Sequence, residues 1–221
     1  MKNKLFSLFT ALQISEVFLI LLLFLGGCSK QQTYNMQHSS SNLKHNGDTE
    51  FAKGSDEKPS PETLYFMADI LAAQGKDEEC GFLLKRCIYE YPRFVPAYNA
   101  LAELRMRQGQ IKESIQIISR GLQVYPRDVV LLNNLGMCWM IRQEYAQALE
   151  LFTTAAGISP ENSRYRANMG VALGLMGRYD ESQSLFAQVL PQEQVKKNLE
   201  ILQDAEKGPS SMGKNLFFQS G

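Results

Sequence analysis

The chain has 221 residues, of which 23 are Lys or Arg and 23 are Asp or Glu, so its formal net charge at pH 7 is zero. This length accommodates one or two domains, and a neutral chain has no overall positive field to attract nucleic acid or an anionic membrane. Hydrophobic residues make up 44% of the chain and are unevenly distributed. Residues 5–27 carry a single charge, residues 29–60 are strongly polar, and the remainder is typical of a soluble helical domain.

The first predicted element is a secretory signal. Lys2 and Lys4 stand near the start of the chain, and residues 17–25 form an apolar core, VFLILLLFL. A membrane-spanning helix needs about 20 apolar residues, so this core is too short alone and is typical of the apolar region of a signal peptide. The alternative is an uncleaved N-terminal anchor that carries Glu16 at the membrane surface.

The segment that follows, Leu-Gly-Gly-Cys at residues 25–28, resembles the lipobox of bacterial lipoproteins. The resemblance implies cleavage after a signal peptide of residues 1–27, a covalent diacylglycerol on the Cys28 thiol, and an N-acyl chain, such as palmitate, on the new N-terminus. Several acyl chains anchor a protein stably where one chain would be marginal. Because Ser29 follows the cysteine, and not the Asp that typically retains lipoproteins in the inner membrane, we expect an outer-membrane protein that faces the periplasm.

Residues 28–60 are predicted to form a disordered tether. They are rich in Ser, Asn, Gln and Lys, and such a segment cannot bury enough apolar surface to offset the entropy lost on ordering. A flexible chain of this length has a root-mean-square reach of about 30 Å. His38 and His45 are the two histidines of the sequence. They are isolated in this segment, so we predict no metal site.

From residue 61 the sequence repeats itself. Pro92, Pro126 and Pro160 are each 34 residues apart, and a period of 34 is the signature of the tetratricopeptide repeat, a pair of helices joined by a turn. The predicted units are residues 61–94, 95–128, 129–162 and 163–194. The eighth position of each unit must be small where two helices cross closely, and it holds Ala68, Ala102, Gly136 and Gly170.

Pro191 interrupts the fourth unit, and the sequence after it predicts one more helix. Residues 192–206 carry an apolar stripe that is formed by Val195, Leu199 and Leu202. Solenoids need a terminal helix with one polar face to seal the last repeat, so we predict a capping helix here and a disordered tail at residues 207–221. The predicted fold class is all-α: a right-handed superhelical solenoid of about four tetratricopeptide repeats with a C-terminal capping helix, after a disordered N-terminal tether.

The sequence lacks a catalytic constellation. The repeats contain no His, which removes the commonest general base, and neither a phosphate loop nor a Cys-x-x-Cys pair occurs. Cys80 and Cys87 are seven residues apart, which in a helix separates them by roughly 10 Å along the axis, too far for a disulfide. We therefore predict a non-enzymatic protein without a cofactor other than the lipid on Cys28, in which the repeat cysteines are small buried residues.

Tetratricopeptide solenoids bind other proteins on a concave face lined by their first helices. We predict that the partner-binding groove consists of Asn99, Glu103, Arg107, Asn133, Met137, Met140, Ile141 and Leu175. The last four would form a soft apolar patch, since Met adapts to irregular partners and exposed apolar patches mark binding sites. The alternative is that Met137 and Met140 are covered by the terminal helix.

The C-terminal stretch RANMGVALGLMGRYDESQSLFAQVLPQEQVKKNLEIL, residues 166–202, resembles the Tad/Flp pilus assembly lipoproteins of the TadD type. Those proteins also have a final repeat cut short by Leu-Pro and followed by an Asn-Leu helix. The resemblance implies a role in assembling or localising the outer-membrane secretin of that pilus machine. The partners would be the secretin or other pilus-assembly components, and no nucleic acid. Two alternatives are a structural subunit of another outer-membrane assembly machine and a pilotin of type IV pili.

Overall fold

The computed structural model describes residues 58–207, and within this range the chain forms nine α-helices joined by short turns. In chain order they are α1 (Pro61–Ala73), α2 (Asp77–Glu90), α3 (Val95–Arg107), α4 (Ile111–Val124), α5 (Val129–Ile141), α6 (Tyr145–Ile158), α7 (Ser163–Leu175), α8 (Tyr179–Ala187) and α9 (Gln192–Lys207). The first eight form four consecutive antiparallel pairs. The predicted all-α fold of paired helices is confirmed.

The predicted signal peptide, the lipidated Cys28, most of the tether and nearly all of the predicted tail lie outside the described residues. The helices described here belong to one compact unit that begins at Ser60. Among residues 58–207, no helix combines the length and apolar character that crossing a membrane requires.

In three of the four pairs, the residue just before the first helix caps it with a side chain that accepts a hydrogen bond. Ser60, Asp128 and Asn162 each accept one from a backbone N–H of the following turn, at 3.2, 2.8 and 3.1 Å. These bonds satisfy N–H groups that the start of a helix leaves unpaired. The helix α3 instead has Pro96 in its first turn, where a missing N–H carries little cost.

The turn between the two helices of a pair passes through the left-handed backbone region. Gly75, Gly109 and Gly177 occupy it with φ of 72°, 74° and 76°, and Gln143 takes the corresponding place in the third pair with φ of 62°. Glycine adopts this region without steric strain, whereas another residue there costs roughly 1–2 kcal/mol. The 34-residue glycine period is therefore a requirement of the turn, and the third pair forms its turn despite the strain at Gln143.

In the third and fourth pairs the two helices cross at a glycine. A Cβ atom added at Gly136 would lie 2.5 Å from Cε1 of Phe152, and one added at Gly170 would lie 2.7 Å from Cε1 of Phe186. Both phenylalanines are fully buried, so each ring fills the space that the glycine leaves open. The prediction that the eighth position must be small is confirmed in the third and fourth pairs.

The core continues from one pair to the next. One buried cluster includes Leu64 of α1, Leu84 of α2, Leu104 of α3 and Ile118 of α4, and extends to Leu131 of α5. Each of these helices packs against the next along the chain, and α3 also packs against α5. The first helices of the second and third pairs, α3 and α5, therefore lie next to each other.

The cysteines of the described residues are free and buried, as predicted. Burial raises the pKa of the Cys87 and Cys138 thiols to about 11, and it also raises the pKa of Cys80. The Sγ atom of Cys138 lies 3.4 Å from Oγ of Ser114 on the preceding helix. These thiols are therefore packing groups of the core.

The final helix α9 packs against α7 and α8. Its Val195 and Leu202 side chains are buried, and Cδ1 of Leu202 would lie 2.4 Å from a Cβ atom added at Gly174. The opposite side of α9 carries the exposed residues Lys196 and Glu200. With one apolar and one charged face, α9 seals the apolar surface of the last pair from solvent.

Candidate protein-binding groove

The adjacent first helices α3, α5 and α7 are joined by a row of hydrogen-bonded side chains. The Nδ2 atom of Asn134 lies 3.3 Å from both Oδ1 of Asn99 and Oε1 of Glu103, and donates to each. The Asn133 amide donates to Oδ1 of Asn134 at 3.3 Å. The Asn168 amide donates to Oδ1 of Asn133 at 2.7 Å. We call Asn99, Glu103, Asn133, Asn134 and Asn168 the amide row.

Three amides of this row, Asn99, Asn133 and Asn134, are buried. Buried polar groups are costly unless they are hydrogen-bonded, so the bonds between them favour one register of the helices over others. The row therefore has a structural consequence: it fixes how α3, α5 and α7 lie side by side.

Glu103 is the charged and solvent-exposed member of the row. Burial of its carboxyl among protein atoms raises its pKa, against the opposing effects of the hydrogen bond from Asn134 and the positive charges of Arg107 and Arg164. The Glu103 side chain is thus exposed to solvent while surrounding protein atoms still partly desolvate its carboxyl. Arg107 and Arg164 are themselves exposed, so the row borders a solvent-accessible surface with charges of both signs.

Comparison with known proteins identifies this arrangement of helices. The sequence profile of the tetratricopeptide repeat matches residues 140–202, from the end of α5 to α9. The fold is that of the tetratricopeptide repeat. No curated protein sequence matches the chain significantly.

Several solved structures share this fold, among them one described as a thermophilic tetratricopeptide-repeat protein. MamA from Desulfovibrio magneticus RS-1, from residue 41 to its end, is 17% identical with a TM-score of 0.53, over 62% of this chain and 76% of MamA. Another MamA crystal structure is 20% identical with a TM-score of 0.52, over 67% and 81%. The protein TTC0263 from Thermus thermophilus is 21% identical with a TM-score of 0.53, over 67% and 80%. At these identities the likeness shows the fold alone.

The tetratricopeptide repeat is typically a non-enzymatic scaffold that binds other proteins on a concave surface. Among the described residues, no group of three or more His, Cys, Asp or Glu side chains could hold a metal ion. The amide row and its neighbours present hydrogen-bonding and charged groups.

The structure brings together the polar residues predicted for the groove. Asn99, Glu103 and Asn133 belong to the amide row. Arg107 lies on the same helix as Glu103, and its Nη2 atom is 3.7 Å from Oδ1 of Asp77 on α2. An exposed ion pair at this distance is weak, so Arg107 is available to a partner.

The exposure predicted for the two groove methionines is wrong. Met137 and Met140 are 9% and 1% exposed, and Ile141 and Leu175 are half-buried. The reason is that α5, with the sequence VVLLNNLGMCWMI, is apolar around most of its circumference and packs against α3, α4 and α6. A helix of this kind is buried on several sides at once, so its methionines contribute to the interior.

Two members of the amide row, Asn134 and Asn168, were not predicted from the sequence. They occupy the sixth position of the third and fourth repeats and are 34 residues apart, next to positions that are predicted to line the groove. The available signal was an amide that recurs with the repeat period on helices that are otherwise largely apolar.

Proposed function

We propose that this chain is a non-enzymatic scaffold that binds a segment of a partner protein along α3, α5 and α7. The observation that supports this proposal is the amide row, which holds three helices in register and places the exposed Glu103 beside two exposed arginines. A partner segment with an acidic group toward Arg107 and Arg164, and a basic group or N–H donor toward Glu103, would complement this surface.

We further propose that a lipid on Cys28 anchors the protein to the outer membrane, and that it assists the assembly or localisation of a Tad/Flp pilus secretin. Two features support this: the Leu-Gly-Gly-Cys segment at residues 25–28 and the resemblance of residues 166–202 to TadD-type lipoproteins. The partner would then be the secretin or another component of the pilus machine.

The charged part of the groove provides the test. We expect that the double variant Arg107→Glu, Arg164→Glu loses most of its partner in pull-downs from detergent-solubilised envelopes, because it presents like charge to an acidic segment. Secretin multimers on gels should fall in parallel. Both arginines are exposed, so the helical circular dichroism signal should be retained.

The matched control is Lys112→Glu, which reverses an exposed charge in the first turn of α4. This variant should recover the partner as well as the unaltered protein does. A folded groove variant with full partner recovery would rule out the groove as the binding site. Normal recovery of a partner unrelated to secretins would refute the pilus role but not protein binding.

A further inference from the structure

The first repeat exposes an apolar surface on α1. Phe66, Met67 and Ile70 are 64%, 47% and 42% exposed. They lie within about 100° of one another around the helix, together with Thr63, because residues three and four positions apart share a face. We call Thr63, Phe66, Met67 and Ile70 the α1 outer face.

In the later repeats, the equivalent positions pack against a neighbouring helix. The third and tenth positions of a unit, which are Thr63 and Ile70 in the first, are buried in the other three, where they hold Ala97, Leu131, Tyr165, Leu104, Cys138 and Ala172. The second helix of the preceding pair contacts them. Leu104 lies 3.4 Å from a Cβ atom added at Gly81 of α2, Leu131 lies 2.8 Å from one added at Gly121 of α4, and Cys138 contacts Ser114 of α4.

Two residues of the α1 outer face, Thr63 and Ile70, therefore hold repeat positions that pack against a helix elsewhere in the chain. The seventh position supports the comparison, because Leu101 is buried and Leu135 and Met169 are half-buried, whereas Met67 is exposed. An α-helix with an apolar stripe that lies along this face would cover Phe66, Met67 and Ile70 together. Ile70 holds the position that a preceding second helix contacts in later repeats, and Phe66 holds the position from which Asn134 reaches the preceding first helix α3.

The charges along the α1 outer face indicate which kind of helix would bind there. Glu62 and Asp69 lie two turns apart at one edge of this face, α1 contains no basic residue, and neither carboxylate takes part in an ion pair with another described residue. A helix that carries Lys or Arg beside its apolar stripe would complement this edge.

A second copy of the chain complements the face less well. Two α1 outer faces together would bring four carboxylates and no basic group of α1 into the same interface, and like charges destabilise an interface. Head-to-tail stacking would place α1 on α9, whose outer side carries the exposed residues Lys196, Lys197 and Glu200. The first arrangement brings like charges together, and the second leaves Phe66, Met67 and Ile70 against a charged helix side instead of an apolar stripe.

We propose that the α1 outer face binds an amphipathic helix of a partner protein, with its apolar stripe on Phe66, Met67 and Ile70 and a basic edge along Glu62 and Asp69. The site lies on α1 and shares no residue with the amide row, although Phe66 and Asp69 hold the repeat positions that Asn134 and Glu103 hold there. It does not depend on the proposed groove. The chain would thus engage two protein segments, one at its first helix and one along α3, α5 and α7.

Site-specific photocrosslinking in the full chain, expressed in its own cells, tests the proposal. A benzophenone amino acid in place of Met67 should crosslink to a partner peptide that mass spectrometry identifies as an amphipathic helix with basic residues beside its apolar stripe. Asp69→Lys and Ile70→Ser should each lower the yield at least fivefold, because one removes charge complementarity and the other apolar contact. Both residues are exposed, so the helical signal should not change.

The matched control is Phe82 of α2, an exposed aromatic residue at a position where later repeats carry Gln116, Glu150 and Ser184. The Phe82→Ser change should leave the Met67 crosslink intact. The proposal is overturned if the crosslink joins two copies of this chain or maps to its own residues. It is equally overturned by a partner peptide that lacks such a helix, or by a yield that does not respond to Asp69→Lys and Ile70→Ser.

Discussion

A carboxyl inside a groove titrates differently from one on an open surface, and Glu103 shows this within the amide row. Burial raises its pKa above the ordinary value of 4.5. The folded state therefore binds the proton of Glu103 more tightly than the unfolded state does. Its contribution to stability is present below about pH 4.5 and is lost as the pH rises through the raised pKa of the folded state.

At pH 7 the ionised Glu103 therefore lowers the stability of the fold, and Glu103→Gln should raise the melting temperature measured by circular dichroism. At pH 4, where Glu103 is largely protonated, the same change should have little effect. Glu181→Gln is the contrasting control, because an exposed bidentate bond from Arg178 lowers the pKa of Glu181, and it should not raise the melting temperature. An equal gain for Glu103→Gln at both pH values would contradict the pKa argument.

The pairing of helices depends on the glycines at which they cross. We expect Gly136→Ala to lower the free energy of unfolding by about 1–3 kcal/mol, because its Cβ atom would overlap the buried ring of Phe152. The control is Gly157→Ala on the partner helix α6, where an added Cβ atom meets nothing within 4 Å. That change should raise the free energy of unfolding by up to about 1 kcal/mol through helix propensity. Urea unfolding measures both, and a stable Gly136→Ala variant would refute close crossing at this site.

The helices of this chain were predictable because their determinants are local and periodic. The 34-residue spacing of the prolines and the small residues such as Gly136 reflect requirements of turns and crossings that recur in every unit. Burial of Met140 was not predictable in the same way, because it depends on how many neighbouring helices pack around α5. Asn134 was missed for a related reason: its hydrogen-bond partner Asn99 is 35 residues away.

The first repeat shows the same limit. The repeat period places Phe66 and Ile70 on a first helix. It does not predict that they are exposed, because exposure depends on whether another helix packs against them. In the later repeats the position of Ile70 is buried, where it holds Leu104, Cys138 and Ala172. Exposure of an apolar residue in a solenoid therefore depends on its place in the array, which the pattern of a single repeat does not contain.

At the scale of the whole molecule, the proposed membrane location depends on Cys28, which lies outside the described residues. We expect Cys28→Ala to abolish metabolic acyl labelling and to leave the precursor uncleaved, because in the proposed lipoprotein this thiol would receive the lipid. Ser29→Asp serves as the control: it should retain labelling while moving the protein toward inner-membrane fractions. A Cys28→Ala protein that matures and labels normally would refute the lipoprotein proposal.

If the chain is exported as proposed, the buried thiols require that the repeats fold before their cysteines are oxidised. Disulfide exchange requires a thiolate, and the core keeps Cys87 and Cys138 protonated up to a pH of about 11, so the folded repeats resist oxidation. The unfolded chain has no such protection when it enters an oxidising compartment. Helical proteins with mostly local contacts fold in microseconds to milliseconds, whereas disulfides form in seconds to hours. We therefore expect the repeats to fold before their cysteines can oxidise, so that rapid folding and burial together would keep these thiols reduced.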